Sequence, residues 1–164
     1  MFKKLFALPL VLLLLCGCAD NKTVAPVLDN ISFTAQIDYG DNEFVGNATL
    51  SNDTINLTVT EPQEIKDLIL KLDKNGVTAE FKGVTYTPDI NSLPQGAIAQ
   101  VLYNVLNDIA ASQDTAICDE ENCVIKNKIN GYDYEFTFSP SGLPISLEID
   151  DLDLEIKFKN VTVN

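Results

Sequence analysis

Most of the chain alternates apolar and polar residues in the two-residue period of a β-strand. One stretch, residues 93–111 (LPQGAIAQVLYNVLNDIAA), instead has the period of an amphipathic helix. Ser92 is placed to cap this helix, with Pro94 in its first turn. The apolar residues of the stretch form one stripe, which consists of Ile98, Val101, Leu102, Val105, Leu106 and Ile109.

The alternation before the helix predicts strands joined by short turns. Ile31–Tyr39 is the clearest of these strands, because its odd positions are apolar and its even positions are mostly polar. On the next strand, the small residues Gly46 and Ala48 leave room for another element to approach the sheet closely. The dipeptide Asn75-Gly76 supplies the positive φ angles that a tight hairpin needs.

A second run of strands follows the helix. In residues 132–138 (YDYEFTF) aromatic and polar residues alternate, which fits core packing across a sheet and also fits the lining of an apolar pocket. The whole pattern predicts about ten short strands with one helix in the middle. The fold class is therefore mainly β (α+β): an antiparallel sheet wrapped around one amphipathic helix, with a concave face that is either core or cavity.

The first seventeen residues have the features of a signal peptide. Two lysines precede an uncharged apolar stretch, residues 5–15, which is shorter than the roughly 20 residues that a spanning helix needs. The sequence Leu15-Cys16-Gly17-Cys18 resembles the bacterial lipobox, in which cleavage leaves a lipidated cysteine as the first residue. The resemblance implies that Cys18 is diacylated and anchors the protein to the extracytoplasmic side of the cell membrane.

Three segments follow from this interpretation. Residues 1–17 are the lipoprotein signal peptide. Residues 18–29 comprise the lipidated cysteine and a tether, because this polar segment contains one proline and has no clear period. Residues 30–164 form the folded domain.

The chain is strongly acidic, and this excludes some partners. Its net charge is −13, and removal of residues 1–17, which contain two lysines and no acidic residue, changes it to −15. Nucleic-acid binding needs a basic face and is not expected. An anionic membrane surface would repel the domain, so attachment depends on the lipid.

Two cysteines remain once Cys16 is removed and Cys18 is lipidated. Four residues separate Cys118 from Cys123, which suits a disulfide between the two strands of a hairpin. The spacing does not fit a two-cysteine redox motif, and a zinc site lacks further ligands because the chain contains no histidine. We therefore predict a structural disulfide.

The sequence offers no catalytic or cofactor motif. The absence of histidine removes the usual serine and cysteine triads, and no phosphate-binding or dinucleotide motif is present. No cofactor, metal site or enzymatic activity is therefore expected. Three acidic clusters do not match the spacing of a calcium loop, and we interpret them as solvated turns; they are Asp119-Glu120-Glu121, Asp150 with Asp151 and Asp153, and Asp38 with Asp41.

The order of these features resembles the lipoprotein-carrier superfamily of the LolA and LolB type, and the small bacterial lipoproteins that share its fold. The resemblance covers about residues 30–163 and lies in FTAQIDYG, EPQEIKDLILKL, the Asn75-Gly76 hairpin, the helix, and GLPISLEIDDLDLEIKFKN. It implies an incomplete antiparallel barrel with a helix across its open side. It also implies an apolar concavity that, in the carriers, holds acyl chains.

Two functions are compatible with this resemblance. In the first, the half-barrel of a membrane-anchored lipoprotein binds a lipid, an acyl chain or another hydrophobic ligand. In the second, its own side chains fill the concavity, and the protein is a non-enzymatic regulatory or scaffold lipoprotein that binds a protein partner at the cell envelope. The candidate cavity residues for the first function are Phe33, Phe44, Ile98, Leu102, Val105, Leu106, Tyr134 and Phe136.

Overall fold

The computed structural model describes residues 24–89, 98–111 and 116–164. These residues form eleven β-strands and one α-helix, with short 3-10 helices at Gln63–Ile65 and Asp150–Leu152. The predicted helix cap at Ser92 and Pro94 lies outside them. The elements in chain order are β1 (Ile31–Tyr39), β2 (Asn42–Ser51), β3 (Thr54–Glu61), β4 (Ile69–Asp73), β5 (Gly76–Phe81), β6 (Val84–Tyr86), α1 (Ile98–Ala111), β7 (Ile117–Cys118), β8 (Cys123–Ile129), β9 (Tyr132–Phe138), β10 (Pro144–Ile149) and β11 (Leu154–Val163).

The strands form one antiparallel sheet in the order β6-β5-β4-β3-β2-β1-β11-β10-β9-β8-β7. Strands β6 and β7 end this sheet and do not pair with each other within the described residues, so the barrel is open. The predicted fold class is confirmed: a mainly antiparallel half-barrel accompanies one amphipathic helix, with eleven described strands where about ten were expected. In the chain, α1 lies between the two edge strands.

The core lies on one face of the sheet. The odd-numbered positions of β1 are buried from Ile31 to Ile37, as their alternation predicts. The ring of Phe158 on β11 packs edge-on against Phe33, with centroids 5.0 Å apart, and against Phe136, at 6.0 Å. Full burial of each such side chain contributes about 1.5–3 kcal/mol. The buried apolar residues form one continuous cluster that includes α1.

Short turns fix the register of the hairpins. Asn52 and Asp53 have φ of 49° and 56°, and they join β2 to β3 as a two-residue turn of the kind that matches strand twist. The predicted hairpin between β4 and β5 is present, but its turn differs from the expectation. Its central residues are Lys74 and Asn75. Gly76, with φ of 125°, is the first residue of β5 and pairs with Asp73.

The element that approaches closely at Gly46 is the neighbouring strand β3. A Cβ atom at this position would lie 2.7 Å from Cδ1 of Leu57 and 2.8 Å from the carbonyl oxygen of Thr58, both on β3. The register between β2 and β3 shifts beside it, between Val45 and Gly46. Gly46 therefore allows a close approach of the neighbouring strand.

The tether predicted from the sequence packs against the domain over its described part. Leu28 is buried, and Val24 and Val27 pack against the core. The amide of Val27 donates a hydrogen bond of 2.7 Å to the carbonyl oxygen of Gly142, in the turn between β9 and β10. The folded unit therefore includes residues 24–29 as well as the predicted domain.

Candidate functional site

The interface between α1 and the sheet is the candidate site, because four of the predicted cavity residues lie on the helix and the hydroxyl of a fifth, Tyr134, is bonded to it. Helix α1 contacts β4 and β5 in one half of the sheet and β8 in the other. One element thus bridges both halves of the half-barrel. The strands behind it contribute alternating apolar side chains, so an apolar helix face meets an apolar sheet face.

The apolar stripe of α1 is buried along its length. Val105 has no exposed surface, and Leu102 and Leu106 are 3% and 2% exposed. These three side chains are therefore packed inside the core. Ile98, the first described residue of the helix, is only partly buried.

The candidate residues on the sheet lie in the same core. Phe33, Tyr134 and Phe136 are 4%, 3% and 0% exposed, and they belong to the cluster that includes the helix stripe. Phe44 is partly buried and packs against the margin of this cluster. The structure therefore places six of the eight candidates in one core cluster, with Phe44 and Ile98 packed against it, and it gives the aromatic ladder of β9 a core position. Ligand contact by these residues stays a prediction.

A polar contact fastens α1 to the sheet. The hydroxyl of Tyr134 donates a hydrogen bond of 2.9 Å to the carboxylate Oδ2 of Asp108, and the side-chain amide of Asn127 lies 3.4 Å from the same oxygen. Asp108 is partly exposed, whereas the Tyr134 residue is almost fully buried. The sequence pattern placed Asp108 off the apolar stripe and Tyr134 in an apolar ladder, but it gave no sign that the two meet.

An open cleft of about 520 Å³ lies beside the polar face of α1. Tyr103, Asn107 and Ala110 form its helix wall, and the turns at residues 52–54 and 73–75 form the opposite wall. The amide of Asn107 donates a hydrogen bond of 2.9 Å to the carbonyl oxygen of Tyr103. The cleft therefore lies where the C-terminal half of α1 meets two hairpin turns.

Five carboxylates form a row across the outer face of the sheet. Strand register places them in directly opposite positions on five neighbouring strands, and the row ends at a lysine on β8. Like charges in such positions repel each other. The row is thus a continuous acidic stripe on the outer face. The row runs Glu43, Asp38, Glu155, Glu148, Glu135 and Lys126.

The carboxylates of this row raise the pKa of two lysines. The hydrogen bond and charge of Glu135 raise the pKa of Lys126, with which Glu135 forms an ion pair. A hydrogen bond of 2.8 Å to Glu155 raises the pKa of Lys157, and the charges of Asp38 and Glu148 add to the effect. The positive charges of both lysines partly neutralise the row.

The predicted disulfide is confirmed. Cys118 on β7 and Cys123 on β8 are paired in the strand register, with an S–S bond of 2.08 Å and Cα atoms 4.0 Å apart. The carboxylate of Asp119 accepts hydrogen bonds from the amides of Asn122, at 2.7 Å, and Glu121, at 2.8 Å. These bonds lower the pKa of Asp119. The bridge and the turn together hold the short edge strand β7.

Within residues 24–89, 98–111 and 116–164, no cluster of acidic or cysteine side chains has the arrangement of a metal site. No described helix has the length and hydrophobicity to span a membrane. Cys18, the predicted lipidation site, lies outside the described residues.

No protein-family model matches the sequence, and no curated protein matches it significantly. An uncharacterized conserved protein from Thermus thermophilus resembles the structure with a TM-score of 0.49 at 8% identity, over 84% of this chain and 80% of that one. A LolA superfamily protein from Nitrosomonas europaea gives 0.46 at 11% identity, over 88% and 90% of the two chains. The fold description therefore rests on the strand pairing of this chain itself.

Proposed function

We propose that this chain is a membrane-anchored extracytoplasmic lipoprotein that binds a lipid or other hydrophobic ligand on the concave face of its half-barrel. Cleavage after Gly17 and lipidation of Cys18 would attach it to the cell membrane. The lipobox resemblance supports the anchor, and the apolar concave face supports the ligand class. The proposed activity is binding, without catalysis.

One observation carries the proposal: the helix α1 packs with its apolar stripe on the apolar face of an open sheet and contacts both halves of it. Displacement of α1 would uncover core residues that lie against it, among them Tyr134, whose hydroxyl is bonded to Asp108 of the helix. The sheet itself could remain intact, since its strands are hydrogen-bonded to one another from β6 to β7. In this proposal α1 occupies the ligand site when the ligand is absent.

The free energies of burial make an exchange of α1 for a hydrophobic ligand feasible. The five fully covered stripe residues of α1 contribute about 1.5–3 kcal/mol each, or about 8–15 kcal/mol together. An acyl chain of about sixteen carbons, at about 0.8 kcal/mol per buried CH₂, gains about 12 kcal/mol. The two gross contributions are similar, so a ligand could compete with the helix for the same surface.

A second function is favoured by a different observation. Val105 has no exposed surface and lies in the core cluster, which favours a concavity filled by the protein's own side chains. Both edges of the sheet also carry exposed apolar side chains, since Val84, Tyr86 and Ile117 are 69%, 65% and 78% exposed. Edge strands with such residues can pair with a partner strand. The second candidate is therefore an envelope protein partner bound at a sheet edge.

Photo-crosslinking distinguishes the two functions. The lipoprotein, purified from a bacterium that processes lipoboxes, is placed in vesicles whose phospholipid carries a photoactivatable acyl chain. Hydrophobic-ligand binding predicts adducts on peptides from α1 and β9, and excess unlabelled fatty acid should suppress them. Adducts confined to other surfaces, or insensitive to the competitor, would contradict a ligand site beneath the helix.

A further inference from the structure

The N-terminal segment is fixed to one particular end of the half-barrel. Its Val27 amide is hydrogen-bonded to Gly142, and Leu28 is buried in the core. Gly142 has φ of 89°, and a Cβ atom there would lie 2.9 Å from the carbonyl oxygen of Ala25 and 2.9 Å from Cγ2 of Val27. The turn at Gly142 is thus shaped to let this segment lie directly on it.

Strand register shows which other turns share that end. Ile31, at the start of β1, pairs with Leu50 and with Val163, and Phe138, at the end of β9, pairs with Cys123 and Pro144. In an antiparallel sheet, alternate turns lie at the same end. The Gly142 end of the domain therefore comprises the turns at residues 52–53, 74–75, 119–122 and 139–142.

The opposite end is well separated from this one. It comprises the turns at residues 40–41, 82–83 and 130–131, together with the 3-10 helices Gln63–Ile65 and Asp150–Leu152, and we name it the Asp151 end. The seven residues of β9 run between the two ends, which corresponds to about 20 Å.

We propose that the Gly142 end faces the bilayer that carries the lipid anchor, and that the Asp151 end points away from it. This rests on the proposed lipidation of Cys18. Only residues 19–23 separate Cys18 from the packed segment. Even fully extended, the connection from Cys18 to Val24 spans at most about 20 Å. That reach is similar to the length of β9, so the domain could invert only with the tether fully extended, a conformation of low entropy.

This orientation also gives the cleft beside α1 a defined position. Its hairpin wall consists of residues 52–54 and 73–75, which belong to the Gly142 end. The junction between the C-terminal half of α1 and the sheet therefore lies on the membrane side. A hydrophobic ligand from the bilayer would meet the helix at this junction first.

Fluorescence quenching in vesicles tests the orientation. Ser141→Cys and Asp151→Cys place a thiol at an exposed position of each end, and a bimane probe reacts with it while the native disulfide stays oxidised. The lipoprotein is reconstituted into phosphatidylcholine vesicles with nitroxide-labelled headgroups, because neutral lipid does not repel the acidic domain. The probe at Ser141→Cys should lose most of its fluorescence, and the probe at Asp151→Cys should keep most of it.

A lengthened tether provides the matched control. Insertion of about twenty Gly and Ser residues between Thr23 and Val24 keeps the anchor and the packed segment but relaxes the restraint. It should reduce the difference between the two probes. Equal quenching at both ends with the natural tether, or stronger quenching at Asp151→Cys, would overturn the orientation alone. Failure of the protein to float with vesicles would overturn the anchor, and the orientation with it.

Discussion

Tyr134 on β9 and Asp108 on α1 lie 26 residues apart in the sequence and are joined by a hydrogen bond of 2.9 Å. The hydroxyl belongs to a core residue that is 3% exposed, whereas the carboxylate is partly exposed. The pair therefore ties the helix to the sheet at the margin of the apolar contact. Any movement of α1 away from the sheet must break this bond.

Removal of the hydroxyl should loosen the helix. Tyr134→Phe keeps the ring in the core and deletes the donor to Asp108, so we expect a loss of about 1–2 kcal/mol in the free energy of unfolding. Urea denaturation measures this loss. Tyr132→Phe, on the same face of β9, is the matched control and should change stability by less than about 0.5 kcal/mol. Equal effects of the two variants would show that the bond to Asp108 contributes nothing.

A charge on the buried stripe should cost far more. Leu102→Asp places a carboxylate at a position that is 3% exposed, and we expect a loss of about 3 kcal/mol or more. Asn104→Asp puts the same group on the partly exposed side of the helix and should have a small effect. Thermal unfolding compares the two variants. A melting temperature of Leu102→Asp close to that of Asn104→Asp would mean that α1 is not part of the core.

Gly46→Ala should destabilise the sheet although alanine is small. Its Cβ would lie 2.8 Å from the carbonyl oxygen of Thr58, and this backbone atom cannot rotate away. We expect a loss of about 1–3 kcal/mol, the usual cost of overpacking. Thr49→Ala, at an exposed position of the same strand, is the control and should stay within about 0.5 kcal/mol. A neutral effect of Gly46→Ala on the urea midpoint would contradict the close approach of β3.

The turn of the disulfide hairpin should depend on pH. Amides of Asn122 and Glu121 lower the pKa of Asp119 below its ordinary value of 3.8, so the carboxylate stabilises the fold above that value. This stabilisation is lost as the pH falls through the lowered pKa. Asp119→Asn should thus be less stable than the native chain at neutral pH, and the difference should close in acid. Urea denaturation at several pH values measures this difference in stability, and a difference that stays constant with pH would refute the role of the charge. Glu120→Gln is the control.

Lipidation should depend on Cys18 and not on Cys16. Cys18→Ala should abolish incorporation of a labelled fatty acid into the protein and release it from acyl anchoring. Cys16→Ala should leave labelling intact, because residue 16 would be removed with the signal peptide. Unchanged labelling of Cys18→Ala would contradict the lipobox interpretation.

Local patterns in the sequence were sufficient to predict much of the fold. Alternation predicted β1, the helical period predicted the stripe around Val105, and the four-residue spacing predicted the disulfide between Cys118 and Cys123. Each of these features depends on residues close together in the chain, so its physical cause can be read from a short segment.

Features that depend on distant contacts could not be predicted in this way. The role of Gly46 depends on which strand lies beside it and in what register. The packing of Val27 depends on the turn at Gly142, more than a hundred residues away. The bond between Asp108 and Tyr134 depends on how α1 is placed relative to β9. Whether the concave face is filled also depends on how the helix meets the sheet, which periodicity alone does not define.

Native mass spectrometry tests the central claim, that a hydrophobic ligand binds on the concave face beneath α1, most directly. The lipoprotein in detergent is incubated with a fatty acid and then released from the detergent in the gas phase. The mass of the unliganded protein, which includes the covalent anchor, is the reference. The account predicts saturable binding of the fatty acid that Tyr134→Phe strengthens, because the helix is then held less firmly. A protein that retains no fatty acid at any concentration, in both the native chain and Tyr134→Phe, would contradict it.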